Sequence, residues 1–305
     1  TVSAPGAGDP TGTVTFKEGR QTLGTADVTT VDGVTTATFT TNSLTAGKHA
    51  IKATYSGDES FNTSISPAAV ERVAKAGTAT AVNVSERQSV FGQQVTITAT
   101  IDPTSEAGLS PTGRVTFKDG KKTLGSVNVT TVDGVTTATL TTAKLPVGDH
   151  AITASYAGDG NFTASSGNVV QLPVAKAETT TTLSSSVNPS SPRQKVTFVA
   201  RIDVVLPGEG KPQGVVTFYD GTTKLGTGKL QTSKSGVTTA TFSTSKLSAG
   251  EHTISASYAG DTNFDGSASE ALTQNVQEPA AVAKTAVGLP GASSLVASAA
   301  SGRSA

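Results

Sequence analysis

The chain has no cysteine, no methionine and no tryptophan in 305 residues. Without cysteine there are no disulfide staples, no thiolate metal sites and no cysteine nucleophile. The lack of even an initiator methionine points to a processed or excised piece. An excess of either charge is also missing, because 23 basic residues balance 23 acidic ones. No basic stripe is left to neutralise phosphates, which argues against nucleic acid as a partner. The same balance argues against electrostatic attachment to anionic lipid. No run approaches the ~18 consecutive apolar residues that cross a membrane, and no signal peptide opens the chain. Membrane insertion is therefore not expected. What is abundant is threonine, serine and glycine, a sulfur-free composition suited to an extracellular setting: secreted, at the cell surface or in an appendage.

The chain repeats itself at the scale of a whole domain. Val14-Thr15-Phe16-Lys17 returns as Val115-Thr116-Phe117-Lys118 and as Val216-Thr217-Phe218-Tyr219, 101 residues apart each time. Tyr55-Ser56-Gly57-Asp58 returns as Tyr156-Ala157-Gly158-Asp159 and Tyr258-Ala259-Gly260-Asp261, followed by Phe61, Phe162 and Phe264. Val73-Ala74-Lys75-Ala76 returns as Val174-Ala175-Lys176-Ala177.

Within a repeat the apolar period is two, which specifies strand and not helix. Val95, Ile97, Ala99 and Ile101 point one way, and Thr96, Thr98 and Thr100 the other. Threonine suits the wet face of an antiparallel sheet because it is both β-branched and polar. Asp119-Gly120 and Asp133-Gly134 are hairpin signals. The middle repeat reads as seven strands, near 79–84, 94–101, 113–118, 122–130, 135–142, 149–156 and 168–174. The expected fold is all-β: tandem seven-stranded immunoglobulin-like sandwiches in three repeats of about 101 residues. Domain limits of 1–75, 76–176 and 177–278 follow, with an Ala/Ser/Gly-rich tail over 279–305. By this register the first domain lacks its initial two strands.

The string Leu145-Pro146-Val147-Gly148-Asp149-His150-Ala151-Ile152-Thr153-Ala154-Ser155-Tyr156-Ala157-Gly158-Asp159, closed by Phe162, resembles bacterial Ig-like repeats of the third group. Pro111-Thr112-Gly113-Arg114-Val115-Thr116-Phe117 fits the same pattern, and the resemblance covers roughly residues 10–278. It implies the sandwich fold and a place in a secreted or cell-surface bacterial protein. On function it is weak, because such modules stand beside many different activities.

The candidate chemistry is sparse. His49, His150 and His252 occupy one repeat position, two residues after a glycine. Their separation across three domains excludes a shared metal and suggests a structural corner in which a ring nitrogen bonds the loop backbone. Asp58, Asp159 and Asp261 each offer one carboxylate in the repeat turn, whereas calcium takes six to eight oxygens. Capping of the turn's own N–H groups is the simpler role. No nucleophile elbow or phosphate loop is present, and a catalytic site would not recur in register three times. No catalytic, cofactor-binding or metal-binding residue is therefore expected. Lys52, Lys118 and Lys195 fall on the outward parity, which argues against an internal Lys–Asn crosslink. Of 4 tyrosines and 10 phenylalanines, Tyr219 alone reads as an exposed ring that could stack on a sugar.

The tail carries a third Val-Ala-Lys, at Val282-Ala283-Lys284, before Thr285–Leu289 and Ser294–Ala300. Val287, Leu289, Leu295 and Ala297 are candidate donor-strand residues, an echo of the strands the first domain lacks. The leading expectation is a non-enzymatic structural spacer. The alternatives are a filament subunit that passes tail strands head to tail to the next copy, and an adhesin for a cell-surface glycan or a receptor protein.

Overall fold

The period-two alternation becomes strand throughout. The computed structural model describes residues 8–105 and 108–278, and every helix-or-strand element among them is a β-strand. In the first repeat these are β1 (Thr13–Glu18), β2 (Gln21–Asp27), β3 (Thr29–Val31), β4 (Val34–Thr36) and β5 (Gly47–Tyr55). Two short strands follow, β6 (Ser64–Ile65) and β7 (Ala69–Val73). The second repeat opens with β8 (Thr78–Val84), β9 (Ser89–Val90), β10 (Val95–Pro103), β11 (Arg114–Asp119) and β12 (Lys122–Asn128). It closes with β13 (Thr130–Val132), β14 (Val135–Thr142), β15 (Gly148–Tyr156), β16 (Ser165–Ser166) and β17 (Val170–Ala175). The third holds β18 (Thr179–Ser185), β19 (Val196–Val204), β20 (Val215–Asp220), β21 (Thr223–Lys229) and β22 (Gln231–Thr232). Its last strands are β23 (Thr238–Thr244), β24 (Gly250–Tyr258), β25 (Ser267–Ala268) and β26 (Leu272–Val276).

In the second repeat one sheet runs β13-β14-β10-β8 and the other β12-β11-β15-β17-β9, with β16 on β15. The inward residues Val95, Ile97, Ala99, Ile101, Val115, Phe117, Ile152, Ala154 and Tyr156 are all within 1% of full burial. Each large apolar side chain among them contributes roughly 1.5–3 kcal/mol by leaving water. The third repeat has the same two layers, β18-β19-β23-β22 and β21-β20-β24 with β25 and β26. These are immunoglobulin-like sandwiches. Asp133 and Gly134 both have positive φ, 48° and 80°. This is the type I′ geometry that a two-residue Asp-Gly hairpin needs.

One strand expectation needs correcting. The run over 122–130 is not one strand: β12 pairs with β11 and β13 pairs with β14 in the opposite sheet. The chain changes sheets at Val129, whose N–H donates to the Gly113 carbonyl at 3.0 Å. Val127 and Val129 both pack on the core, so the alternation survives the crossing and hides it. The two-residue strands β6, β9, β16, β22 and β25 are too short to show any alternation.

The first repeat is open. Its sheet of β2, β1, β5, β6 and β7 stands opposite only the β3–β4 hairpin. Counterparts of β8 and β10 are absent among the described residues, so residues 37–42 have no strand partner. Phe16 and Phe39 stack with centroids 5.6 Å apart, yet Phe16, Ile51 and Tyr55 are only half-buried. Their equivalents Phe117, Ile152 and Tyr156 are at most 1% exposed.

Close packing also explains a recurrent glycine. A Cβ on Gly226 would sit 2.4 Å from the Phe242 ring, whereas one on Gly125 would meet Leu140 at 3.1 Å. Phe242 is itself stacked on Phe218 at 5.7 Å and cannot yield freely. Gly226→Ala is expected to destabilise the third repeat by about 1–3 kcal/mol, with Gly125→Ala costing less. Urea melts of the two variants check this order.

Candidate functional site

Three groups of recurrent residues meet where one repeat hands over to the next. The sharp turn after the β15 tyrosine depends on Gly158, where φ is +75° and a Cβ would lie 2.8 Å from the Phe162 carbonyl oxygen. Asp159 follows. Its Oδ1 accepts from the N–H groups of Asn161 at 2.7 Å and Phe162 at 2.9 Å. Its Oδ2 accepts from the N–H and the hydroxyl of Thr112, both at 2.7 Å, and from the Tyr156 hydroxyl at 3.2 Å. The single Tyr156 proton is shared with the nearer Thr112 carbonyl, at 2.6 Å. The carboxylate thus caps its own turn and staples it to the segment before β11.

The electrostatics follow from this crowd of donors. Burial opposes ionisation of Asp159, yet the donors from Thr112, Asn161 and Phe162 hold its carboxyl at about 2. Burial, with the Asp159 charge alongside, pushes the Tyr156 phenol up to about 12. Asp58 has the same partners, Thr11, Ser60, Phe61 and Tyr55, and its carboxyl is likewise held well below the usual range, chiefly by the Thr11 N–H. In the third repeat Gln213 stands in place of the threonine and donates only its N–H to Asp261, at 2.9 Å. The Tyr258 hydroxyl there is buried beside Asp261 and the Gln213 backbone, and its pKa is raised chiefly by burial.

The same corner holds the linker. Lys75 Nζ donates to the Asp159 carbonyl, and Lys176 Nζ to the Asp261 carbonyl, each at 2.5 Å. Ala76 N–H donates to the Asn161 carbonyl at 2.8 Å, and Thr163 N–H returns a bond to the Ala76 carbonyl at 2.9 Å. Ala177 is bonded in the same way between Asn263 and Asp265. The recurrent Val-Ala-Lys-Ala therefore leaves one repeat and is fixed in the next within three residues of the end of β7 or β17.

Contacts between repeats complete each junction, and they differ in character. Ala46 N–H donates to the Asn161 side-chain oxygen at 2.8 Å, and Gly108 N–H to the Asn42 carbonyl at 3.2 Å, so the first junction is polar. At the second, Phe91 meets Phe264 edge-on with centroids 5.4 Å apart, and Glu209 N–H donates to the Phe91 carbonyl at 3.3 Å. Phe91 belongs to no repeated string, and sequence reasoning passed over it.

The histidines lie at the start of β5, β15 and β24. Nε2 of His49, His150 and His252 lies 2.7, 2.8 and 2.9 Å from the carbonyls of Thr45, Pro146 and Ser248. Nδ1 lies 3.0, 2.7 and 2.6 Å from carboxylates of Glu18, Asp119 and Asp220. Of these carboxylate partners only Asp119 was singled out by sequence, and then as a hairpin residue. Their spacing of 31 or 32 residues from each histidine recurs and could have revealed them.

Tyr219 is half-buried rather than exposed. It sits at the β-bulge between Phe218 and Tyr219, with Lys224 and Ser255 as its cross-strand partners. Lys52, Lys118 and Lys195 are exposed. The tail residues Val287, Leu289, Leu295 and Ala297 lie outside the described residues. Among the described residues no three His, Asp or Glu side chains gather into a metal-binding group. Thermal unfolding of the full chain is accordingly expected to be unchanged by EDTA, which differential scanning calorimetry checks directly. Nor is any helix among the described residues long and apolar enough to cross a membrane.

The sequence signature described as bacterial Ig-like domain (group 3) matches residues 1–74, 82–175 and 182–277. The chain belongs to that family. No curated protein sequence matches it. Among solved structures it is similar to a tetra-tandem repeat in the extending region of a large adhesion protein. That match has 18% identity, a TM-score of 0.38, and covers 87% of this chain and 66% of the other. It is also similar to the Escherichia coli adhesin FdeC, at 16% identity and a TM-score of 0.29 over 76% of this chain and 74% of that one. The Yersinia pseudotuberculosis adhesin InvE matches at 18% identity and 0.32 over 65% and 59%. At such identities the likeness is one of fold alone.

Proposed function

We propose that the chain is a non-enzymatic, load-bearing spacer of a secreted or cell-surface bacterial protein, built of units 1–75, 76–176 and 177–278 ahead of the 279–305 tail. The observation that carries this reading is the linker. Lys75–Ala76 and Lys176–Ala177 are bonded into the Asp turn of the following repeat, so no slack separates one sandwich from the next. A chain of short, pinned linkers transmits force and holds spacing, whereas long polar linkers would not. The turn's aspartate and the tyrosine are consumed by this architecture, which leaves them without free valence for chemistry. Single-molecule pulling on the full chain tests the reading. Separate unfolding peaks are expected, each releasing roughly 300 Å of contour for a repeat of about 101 residues. Extension without discrete peaks would overturn it.

A second reading rests on the unpaired segment 37–42 and the half-buried Phe16 beside it. In the other repeats the matching strands β14 and β23 pair with β10 and β19. A strand donated by another copy, from the tail residues Val287, Leu289, Leu295 and Ala297, would fill that place and produce head-to-tail filaments. Deleting residues 279–305 should then abolish concentration-dependent assembly in light scattering. A full chain that stays monomeric at high concentration removes this reading and leaves the spacer intact.

A further inference from the structure

We propose that the histidine corners are built for the charged ring, and that they make the array an acid-strengthened strut whose hold relaxes as pH rises. The argument begins with valence. A neutral imidazole has one N–H, so it can donate at one nitrogen only. In all three repeats both ring nitrogens face oxygens that bear no proton, a main-chain carbonyl and a carboxylate, at 2.6–3.0 Å. With one N–H, the other contact would set lone pair against lone pair. The imidazolium satisfies both at once.

What each clamp joins is the end of one strand, the start of another and the loop between sheets. His49 ties Glu18 at the end of β1 to the Thr45 loop, with Glu71 of β7 directly across from it. His150 ties Asp119 at the end of β11 to the Pro146 loop, with uncharged Leu172 of β17 across from it. His252 ties Asp220 at the end of β20 to the Ser248 loop, with uncharged Gln274 of β26 across. Among the described residues no Lys or Arg pairs with any of the three carboxylates. His49 and His150 are 6% and 4% exposed, so water cannot easily replace a lost partner.

The direction of the pH effect is fixed by this geometry. The Glu18 hydrogen bond, with the Thr45 carbonyl, raises the His49 pKa. For His252 burial works the other way, but the Ser248 carbonyl and Asp220 outweigh it and the net shift is upward. A group whose pKa is raised by folding stabilises the fold fully below its unfolded value of ~6.5, and loses that contribution as pH climbs through the folded value.

Two measurements on the full-length chain test the proposal. In a nuclear magnetic resonance titration of the ring Cε1–H signals, His49 and His252 should titrate above ~6.5, and midpoints at or below it would overturn the proposal. In calorimetry the unfolding midpoint should fall by about 5 °C between pH 6 and pH 8.5. The triple variant Glu18→Gln, Asp119→Asn, Asp220→Asn keeps an acceptor but removes the charge, and should flatten that slope. A wild-type midpoint level across this range, or a slope that survives in the triple variant, would also overturn it. The titration needs no variant, so it decides the matter even if the triple variant fails to fold.

Discussion

Asp159→Ala should destabilise the second repeat by about 2–4 kcal/mol, a large loss for one side chain on a turn. The carboxylate accepts from Asn161, Phe162, Thr112 and Tyr156, and alanine leaves those donors to find water or go without. Asp159→Asn should cost less, because one amide oxygen can keep either the turn or the staple. Chemical denaturation of the full chain, followed through the Tyr signal, separates the two. A matching acid dependence is expected. Folding lowers the Asp159 carboxyl to about 2 from an unfolded value of ~3.9. Its stabilisation is therefore complete above ~4 and disappears as pH falls through 2. In the first and third repeats, where folding raises the pKa of His49 and His252, the histidine contribution is lost at higher pH, so those repeats should be most stable in mildly acidic solution. A stability maximum in alkali would contradict the histidine assignment, and stability that holds steady as pH falls from ~4 to ~2 would contradict the aspartate one.

Phe264→Ala is expected to lose about 3–5 kcal/mol in the third repeat and to free the second junction as well. Phe264 is 1% exposed in the core and is also the ring that Phe91 meets edge-on. Phe91→Ala separates the two roles. It removes the contact between repeats but leaves the third core filled, so stability should change by less than about 1.5 kcal/mol. Proteolysis near residues 205–210, however, should accelerate. Equal stability losses in the two variants would show that Phe91 belongs to the core and not to the junction.

Much of this was legible because each domain-scale string states one structural rule three times. Val95, Ile97, Ala99 and Ile101 announce β10 by parity alone, and Asp133-Gly134 announces its own hairpin. The crossing at Val129 was hidden because valines at 127 and 129 keep their parity while the chain passes between sheets. The turn aspartates could be read as caps from sequence, but the second half of their work could not. The Thr112 staple spans 47 residues and depends on β11 and β15 lying side by side. Asp119 looked like a hairpin residue because Asp-Gly is a local signal. Its bond to His150 is visible only when the register of β11 against β15 is known. Phe91 left no trace, since its partner lies in the next repeat and its position in the third repeat is taken by Pro192. Tyr219 was over-read for a related reason: outward parity was taken for exposure, whereas the residue is half-buried at the bulge after Phe218.

The central claim is that pinned linkers keep three sandwiches in file. Small-angle X-ray scattering of the full chain at low concentration measures it most directly. A strut of three domains, ~100 Å or more in length, has a radius of gyration of about 30 Å or more. A value near 19 Å, that of a compact body of this chain length, would contradict it.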